Sequence, residues 1–509
     1  MIDKQQFTSH ISSGYEPKGD SIYLGAAMFE GEVFPDAAVR IPLKTLNRHG
    51  LIAGATGTGK SKTLQILAEN LSKKGVPVLL MDVKGDLSGV AKPSAGEDFI
   101  YKRHEKLQYK FEASASPVEI LTLSEEEGVR LRATVSEFGP VLLGRILELS
   151  PAQSGIISII FKYCDDNHLP LLDLKDLKKI LQYATEEGKE EFERSYGRIS
   201  SASTGAILRK IVTLEQQGAD LFFGERSFEV EDLVRTNSDG HGYINILRLT
   251  DIQDRPKLFS TFMLSLLAEI YNTFPEQGDS DKPKLVLFID EAHLIFEEAS
   301  GALLNQIESI VKLIRSKGVG IYFVTQNPAD VPADVLGQLG LKIQHALRAF
   351  TAKDRKAIKL AAENYPISEF YDTKTELTTL GIGEALVTAL DEKGRPTPLA
   401  ATMLRAPMSR MNILTAEELR ELTATSSLAK KYNDNIDRES AYEILTRKIE
   451  RADEEKAKKQ AEKERKKIER TGSGRKTTSS SDSQKAVIKV LTSATFIRGV
   501  MGVLNKLLK

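Results

Sequence analysis

The sequence predicts an α/β fold in which a mostly parallel β-sheet carries a helical insertion and is followed by a charged helical tail. One basis is HGLIAGATGTGKSK, residues 49–62, where a short apolar strand leads through a glycine-rich turn into a helix. The other is KPKLVLFIDEAHLIF, in which the apolar strand 285–289 ends in two adjacent acids. Strands that alternate with helical segments in this way are typical of parallel sheets.

The glycine-rich turn has the pattern G-x-x-x-x-G-K-[ST], which is the phosphate-binding loop of nucleotide hydrolases. Its glycines let successive N–H groups point inward at a phosphate chain, which then lies at the positive end of the following helix. In this pattern Lys60 contacts the β- and γ-phosphates and the Ser61 hydroxyl binds Mg²⁺. The sequence therefore predicts ATP and Mg²⁺ as cofactors. The predicted nucleotide-binding residues of the loop are Gly54, Ala55, Thr56, Gly57, Thr58, Gly59, Lys60, Ser61 and Lys62.

The two acids are Asp290 and Glu291. Apolar strands that end in acids are common, so the pair is specific only together with the upstream loop. In that combination the first acid supports Mg²⁺, through Ser61 or water, and the second polarises the attacking water. We therefore expect a P-loop NTPase fold of the RecA-like type, with Lys60 and Glu291 as catalytic residues and with Ser61 and Asp290 as metal ligands.

Polar residues follow two further predicted strands. Asp82, Lys84 and Asp86 come after the apolar run 78–81, where they either face a ligand at the carboxyl end of the sheet or form a solvated turn. Gln326 ends the strand in GIYFVTQNP and either senses the γ-phosphate or caps a turn. The residues alone do not decide between these alternatives.

The expected organisation follows composition and periodicity. SPVEILTL is strand-like and precedes four long segments with helical spacing, whereas EALVTALDEKGRPTPLAATM indicates a β-hairpin. Residues 447–476 contain 13 Lys and Arg against 7 Asp and Glu, which predicts a solvated helix. The predicted parts are a short N-terminal β segment at 1–47, an ATPase core at 48–94 and 242–410, a mainly helical insertion at 95–241, a helical charged extension at 411–471, a flexible linker at 472–483 and an amphipathic basic helix at 484–509.

Composition limits the functional classes. The net charge of −1 shows no overall basic excess, so a nucleic-acid surface would have to be local. The single cysteine excludes an internal disulfide framework and a CxxC metal site, and it is compatible with the cytoplasm, where we expect the protein. The N-terminus lacks the apolar core of a signal peptide, and we expect no transmembrane segment.

Residues 49–61, 285–296 and 315–328 together resemble the HerA/FtsK group of P-loop ATPases, and the cytoplasmic HerA-like helicase type is the most similar. The resemblance extends over most of residues 20–410. It implies a homo-oligomeric ring, a hexamer, that uses ATP to translocate double-stranded DNA, with a nuclease or another protein as a further partner.

The resemblance also assigns residues. It implies that Gln326 is a catalytic sensor and that Asp82 lies near the nucleotide. Arg315 corresponds to an arginine that completes the ATP site, with Arg48 and Arg355 as weaker candidates for this role. From its place between the acid pair and the strand ending in Gln326, we expect Arg315 near the nucleotide edge of the sheet. The chain departs from HerA in its short N-terminal segment, where HerA has a larger β-barrel, and in the helical insertion.

Three functional classes follow. The first is a DNA-translocating ATPase, and the second is an ATPase that acts on a protein partner in defence, secretion or nuclease association. The third is a nucleotide-dependent switch with little turnover, which the base expected at Glu291 argues against. Residues 290–293 also spell DEAH, a motif that names a class of helicases. In DEAH-box helicases a second motif, SAT, lies inside the same core, whereas here SAT follows about 200 residues later, at 493–495. This spacing argues against membership of that class.

Overall fold

The computed structural model describes residues 4–251, 255–278, 280–296, 301–349, 351–434, 436 and 438–472. The chain divides into two units, residues 1–444 and 445–509, and the second is described as far as residue 472. Nearly all of the linker predicted at 472–483, and the whole basic helix predicted at 484–509, lie outside the described residues.

The described residues form twelve strands in one sheet. In chain order the strands are β1 (Ser21–Phe29), β2 (Glu32–Pro42), β3 (Gly50–Ala53), β4 (Val78–Asp82), β5 (Val118–Thr122), β6 (Val129–Arg130), β7 (Ile244–Arg248), β8 (Leu285–Ile289), β9 (Val319–Thr325), β10 (Leu341–His345), β11 (Glu384–Thr388) and β12 (Ala400–Leu404).

Eighteen α-helices accompany these strands in the same described part of the chain. They are α1 (Lys4–Gly14), α2 (Lys60–Lys73), α3 (Asp98–Lys106), α4 (Val135–Ile146), α5 (Pro151–Asp166), α6 (Leu174–Thr185), α7 (Lys189–Ser195), α8 (Ser201–Glu215), α9 (Ala219–Phe222), α10 (Pro256–Thr273), α11 (His293–Phe296), α12 (Gly301–Ile314), α13 (Ala333–Leu336), α14 (Ala352–Ala362), α15 (Thr373–Thr379), α16 (Ala416–Thr425), α17 (Ser427–Tyr432) and α18 (Ala441–Gly472).

The sheet has the strand order β2-β1-β12-β11-β10-β3-β9-β8-β4-β7-β5-β6. The eight strands from β10 to β6 are parallel, and the other four continue the sheet in antiparallel pairs. Every residue of β3, β4, β8 and β9 is buried, as expected for parallel strands covered on both faces. The expected α/β fold with a mostly parallel sheet is confirmed.

The N-terminal segment is part of this sheet, because β1 pairs with β12. It also contains α1, which the sequence reasoning missed. The signal was the pair Phe7 and Ile11, four residues apart and both fully buried. Phe7 packs against a cluster of aromatic rings, which are Phe29, Phe34, Phe370 and Tyr371.

The segment expected as a helical insertion contributes to the sheet before its helices begin. The strand expected in SPVEILTL is β5, which pairs with β7, and β6 follows it at the edge. Helices α4 to α9 come next, and their starts carry local signals such as Ser150, which forms a capping box with Gln153 ahead of Pro151. None of the helices among the described residues is long and apolar enough to span a bilayer.

Candidate active site

The phosphate loop connects β3 to α2 at the carboxyl edge of the parallel strands. Three glycines adopt positive φ angles, 154° at Gly54, 78° at Gly57 and 118° at Gly59, which other residues rarely adopt. A Cβ atom on Gly54 would lie 2.5 Å from the Cβ of His345, whereas one on Gly57 would meet nothing within 4 Å. The loop is therefore packed at its base and open at its tip, as a phosphate cradle requires.

Distant parts of the chain hold this loop in place. The Ala55 N–H donates to the Ala346 carbonyl over 2.9 Å, and the Gly383 N–H donates to the Thr58 carbonyl over 3.0 Å. The guanidinium of Arg103 secures the turn before β11 and the end of β12. It donates to the carbonyls of Ile382, Gly383 and Leu404. Sequence reasoning identified neither Arg103 nor Gly383, because no local pattern connects them to the loop.

His345 is a fully buried histidine beneath the loop, and it was also missed. Its Nδ1 must donate to the Glu384 carbonyl, 2.9 Å away, so in the neutral ring Nε2 accepts from the Thr63 hydroxyl over 2.8 Å. Burial, with a further contribution from the charge of Lys60, lowers the pKa of His345 to about 4. The ring therefore stays neutral at physiological pH and joins α2 to the first residue of β11.

Lys60 is the first residue of α2, and its ammonium group folds back onto the loop. Nζ donates to the carbonyls of Gly54 at 2.7 Å and Ala55 at 3.2 Å. Burial and then the nearby charge of Lys84 lower the pKa of Lys60. A desolvated ammonium that is satisfied only by two carbonyls has much to gain from an incoming phosphate.

The two predicted acids lie at the same carboxyl edge, directly after β8. Asp290 is buried, and its Oδ1 accepts the Glu291 N–H over 2.9 Å. Burial raises the pKa of Asp290 to about 6, partly offset by the charge of Lys84. Glu291 has a φ of 48°, a left-handed backbone that a residue other than glycine adopts only when its surroundings impose it.

The Glu291 carboxylate is buried, and one of its two oxygens is paired with a cation. Its Oε1 forms an ion pair with Lys84, which sequence reasoning noted among the polar residues after β4 but assigned no role. Its Oε2 lies 3.2 Å from Nδ1 of His293, but the geometry is not that of a hydrogen bond, and this buried oxygen has no hydrogen-bond partner.

Asp82 faces a turn. Its carboxylate accepts the N–H groups of Gly85, Asp86 and Leu87 at 2.8 to 3.1 Å. Burial raises the pKa of Asp82 to about 7, against the opposing effect of these hydrogen bonds. Of the two alternatives left open by the sequence, the geometry favours the turn, although the turn is buried at its base rather than solvated. Asp82 shapes the loop that carries Lys84.

Gln326 follows β9, which lies between β3 and β8 in the sheet. Its side chain is exposed, and the strand order places this residue between the strand that leads to the phosphate loop and the strand that precedes the acid pair. The three elements that sequence reasoning assigned to the site therefore meet at one edge. The hydrogen bond from the Gly54 N–H to the Thr325 carbonyl, 3.3 Å, joins two of them directly.

Arg315 does not lie where we expected it. It stands four residues before β9, in the short 3₁₀ turn Arg315–Lys317, so it belongs to the amino edge of the sheet. The expectation of a place near the nucleotide edge was wrong, because a helix that connects two parallel strands returns the chain to the opposite edge. The seven residues of β9 span about 20 Å between the two edges.

The other arginine candidates are divided between the two edges. Arg48 precedes β3 and lines the same amino-edge cleft as Arg315, together with Lys44 and Lys312. Arg355 is exposed on α14, which follows the carboxyl end of β10. Neither Arg315 nor Arg48 can therefore reach the phosphate loop of its own chain.

The residues present fit a magnesium ion that arrives with a nucleotide. The Ser61 hydroxyl and the Asp290 carboxylate are oxygen donors, which Mg²⁺ prefers, and Mg²⁺ is usually bound by one or two protein groups plus phosphates. Within the described part of the chain, no group of three or more His, Cys, Asp or Glu side chains could hold a metal by itself.

Comparison with protein families gives one match that covers nearly the whole chain, the model described as "Helicase HerA-like C-terminal", at residues 29–507. A DNA double-strand break repair helicase HerA from Sulfolobus acidocaldarius is 22% identical over 69% of this chain and 64% of its own length. Its counterpart from Saccharolobus solfataricus is 23% identical over 69% of this chain and 63% of its own. The chain thus spans slightly less than two thirds of these relatives.

Two further relatives extend the comparison. The DNA import protein CedB of Sulfolobus acidocaldarius is 24% identical over 76% of this chain and 57% of its own length. Among solved structures, the plasmid coupling protein TrwB in complex with ADP and Mg²⁺ has a TM-score of 0.51 and 15% identity, and it covers 81% of this chain and 94% of its own. At that identity the likeness concerns the fold, and it agrees with the predicted P-loop NTPase architecture.

Proposed function

This chain belongs to the HerA-like helicase family, and from that membership we propose that it is a Mg-ATP-hydrolysing motor that forms a ring and translocates double-stranded DNA. The observation that carries the chemical part is the meeting of the phosphate loop, Gln326 and the acid pair at one edge of the sheet. The DNA part rests on the relatives, which are named as DNA repair helicases and a DNA import protein.

In this proposal the loop N–H groups and the start of α2 receive the phosphates, and Lys60 leaves the Gly54 carbonyl to contact the β- and γ-phosphates. Ser61 and Asp290 hold Mg²⁺, which neutralises phosphate charge. Glu291 orients the attacking water and accepts its proton, and Gln326 contacts the γ-phosphate or that water.

We place Arg315 in the site of a neighbouring subunit. It is exposed at the amino edge and cannot reach its own loop, so a catalytic role requires a second copy of the chain. A cation supplied in this way stabilises the charge of the transition state and is worth about 10³–10⁵ in rate in other phosphoryl-transfer systems. The alternative is a local role, in which a cation near a helix end interacts with the helix dipole.

Translocation is tested by displacement of a third strand from linear duplex DNA carrying a triplex. We expect displacement that requires ATP and Mg²⁺ and is absent in Glu291→Gln. ATP hydrolysis without displacement, and without any response to duplex DNA, would favour the alternative of an ATPase directed at a protein partner.

A further inference from the structure

The ion pair between Lys84 and Glu291 joins the connection after β4 to the proposed catalytic base. The Glu291 side chain is 8% exposed and that of Lys84 is 38% exposed, so the pair has one buried and one accessible partner. Its geometry follows from the sheet, because β4 and β8 are adjacent and parallel. Lys84 and Glu291 each stand two residues beyond the ends of their strands.

The backbone on both sides restricts this contact. Asp82 fixes the turn that carries Lys84 by accepting three of its N–H groups. Glu291 is held in a left-handed conformation, and its second carboxylate oxygen is buried without a hydrogen-bond partner. One carboxylate oxygen of Glu291 is thus paired with Lys84, and the other is buried without a hydrogen-bond partner. A buried polar atom without a partner costs free energy and calls for an explanation.

Lys84 is also near the place where the γ-phosphate would lie. Its charge contributes to the lowered pKa of Lys60 and opposes the raised pKa of Asp290, so its ammonium group is within electrostatic range of the phosphate lysine and the metal acid. An ammonium with more than a third of its side chain exposed can change partners without unfolding its loop.

We propose that Lys84 is a positioning residue that holds Glu291 in an unproductive ion pair while the site is empty and releases it by moving to the γ-phosphate of ATP. The inference rests on the proposed function of this site. While the pair persists, Oε1 of Glu291 is occupied by the Lys84 ammonium group instead of the attacking water, so the ion pair restrains the base. ADP has no γ-phosphate and leaves the pair intact, so the device couples activation of the base to the presence of ATP.

The test compares the affinities of the full chain for ADP and for the non-hydrolysable imido analogue of ATP, both with Mg²⁺, by titration calorimetry. As a single substitution, Glu291→Gln removes the carboxylate that competes with the γ-phosphate for Lys84. We therefore expect this variant to bind the ATP analogue about tenfold more tightly than the wild type and to bind ADP with unchanged affinity. In the Lys84→Met background the same substitution should give a clearly smaller gain, because no ion pair remains to be broken.

Two further variants separate this role from a structural one. Lys84→Arg keeps the cation, so it should retain the response to Glu291→Gln. Lys92→Met removes a lysine from the same connection at an exposed position and should behave like the wild type.

The outcomes are distinguishable. An equal gain from Glu291→Gln in the wild-type and Lys84→Met backgrounds would overturn the inference and leave the proposed ATPase intact. Failure of the wild-type chain to bind either nucleotide would overturn both. Loss of ADP binding in Lys84→Met would show that Lys84 supports the site as a whole, and this also contradicts a γ-phosphate-specific role.

Discussion

The ammonium group of Lys60 is held by carbonyl groups of the phosphate loop itself. The two carbonyls that it contacts, those of Gly54 and Ala55, belong to the turn that would receive the nucleotide. In the proposed function Lys60 therefore exchanges these loop carbonyls for the phosphates when a nucleotide binds. Its buried position makes the second contact strong, since the charge is already largely desolvated.

Lys60→Ala should abolish ATP hydrolysis and remove most nucleotide affinity, because no other cation of the loop is placed on the β- and γ-phosphates. Phosphate release and nucleotide titration measure the two effects. Lys73→Ala, which removes an exposed lysine from the other end of α2, is the matched control and should hydrolyse ATP normally. Turnover at the wild-type rate in folded Lys60→Ala would show that the loop is not the active site.

His345 makes stability depend on pH in a defined direction. Its pKa is about 4 in the folded protein, so between pH 6.5 and 4 the unfolded chain binds a proton that the folded chain does not. Stability contributed by His345 is therefore complete above pH 6.5 and is lost as the pH falls towards 4. A difference of this size corresponds to about 3 kcal/mol.

His345→Gln removes this titration. We expect the variant to be less stable than the wild type at pH 7, and the stability difference to shrink by about 3 kcal/mol between pH 7 and 4. Denaturant unfolding at several pH values measures it. His49, whose pKa burial also lowers to about 4, titrates in both proteins and cancels in the difference. A stability difference independent of pH would show that His345 is not held neutral by the fold.

The residues predicted correctly to meet at the site belong to local patterns. The phosphate loop and the acid pair can be recognised because strand, turn and chemical groups are contiguous in the chain. His345 and Gly383 could not be recognised, since each contacts the loop from a segment almost three hundred or more residues away, and Arg103 acts only through contacts with residues 382–404. Asp82 lies at the end of β4, as expected, but its three N–H partners depend on a turn conformation that the sequence pattern leaves open.

Helix α2 connects the loop to the segment that follows β12. Glu69 forms a fully buried ion pair with Arg405, 2.6 Å from Oε1 to Nη1, and also accepts the N–H groups of Met408 and Ser409. Nearer the loop, Lys62 donates to the Met411 carbonyl over 2.6 Å. The segment 405–412 is therefore attached along the length of the helix whose first turn receives the phosphates.

Arg405→Met should destabilise the protein by about 3–5 kcal/mol, because it leaves the Glu69 carboxylate buried without its cation. Thermal or denaturant unfolding measures the change. Adding Glu69→Gln to Arg405→Met should recover part of the loss, since no uncompensated charge then remains. Strictly additive effects of the two substitutions would contradict a coupled buried pair.

The edge of the sheet at which Arg315 lies was predicted wrongly from the sequence. The strand β9 was expected, and Arg315 lies between the acid pair and this strand, in the order that the sequence shows. The error was in direction, because in a right-handed crossover the helix runs antiparallel to the strands and its end lies at their amino edge. The parallel sheet itself implied this, and applying that rule would have placed Arg315 away from its own nucleotide.

If the protein forms a ring, a mixture of two variants can show whether Arg315 acts on the neighbouring subunit. Arg315→Ala and Glu291→Gln should each bind ATP and hydrolyse it slowly. If Arg315 acts on the neighbouring subunit, mixing the two variants should restore part of the activity, because some sites then contain both intact residues. Mixed assemblies are verified by two affinity tags. Normal turnover by Arg315→Ala would show that Arg315 has no catalytic role. Verified mixed assemblies that recover no activity would contradict action between subunits.

The sheet joins segments from nearly the whole of the first unit, from β1 and β2 through β12. The class of this fold was predictable because parallel strands are continuous apolar runs separated by helical periods. Its extent was not, since the pairing of β1 with β12 joins residues almost four hundred positions apart. Long-range pairing of this kind brings the phosphate loop and the acid pair to a common edge.

The proposed function requires this edge of the sheet to hydrolyse Mg-ATP in response to duplex DNA. The direct measurement is the rate of phosphate release by the purified protein with Mg²⁺, with and without linear double-stranded DNA, and with Lys60→Ala as the blank. We expect turnover that requires Mg²⁺, rises when duplex DNA is added and is absent in Lys60→Ala. Turnover that is the same with and without DNA would contradict the proposed substrate, and no turnover above Lys60→Ala under either condition would contradict the site itself.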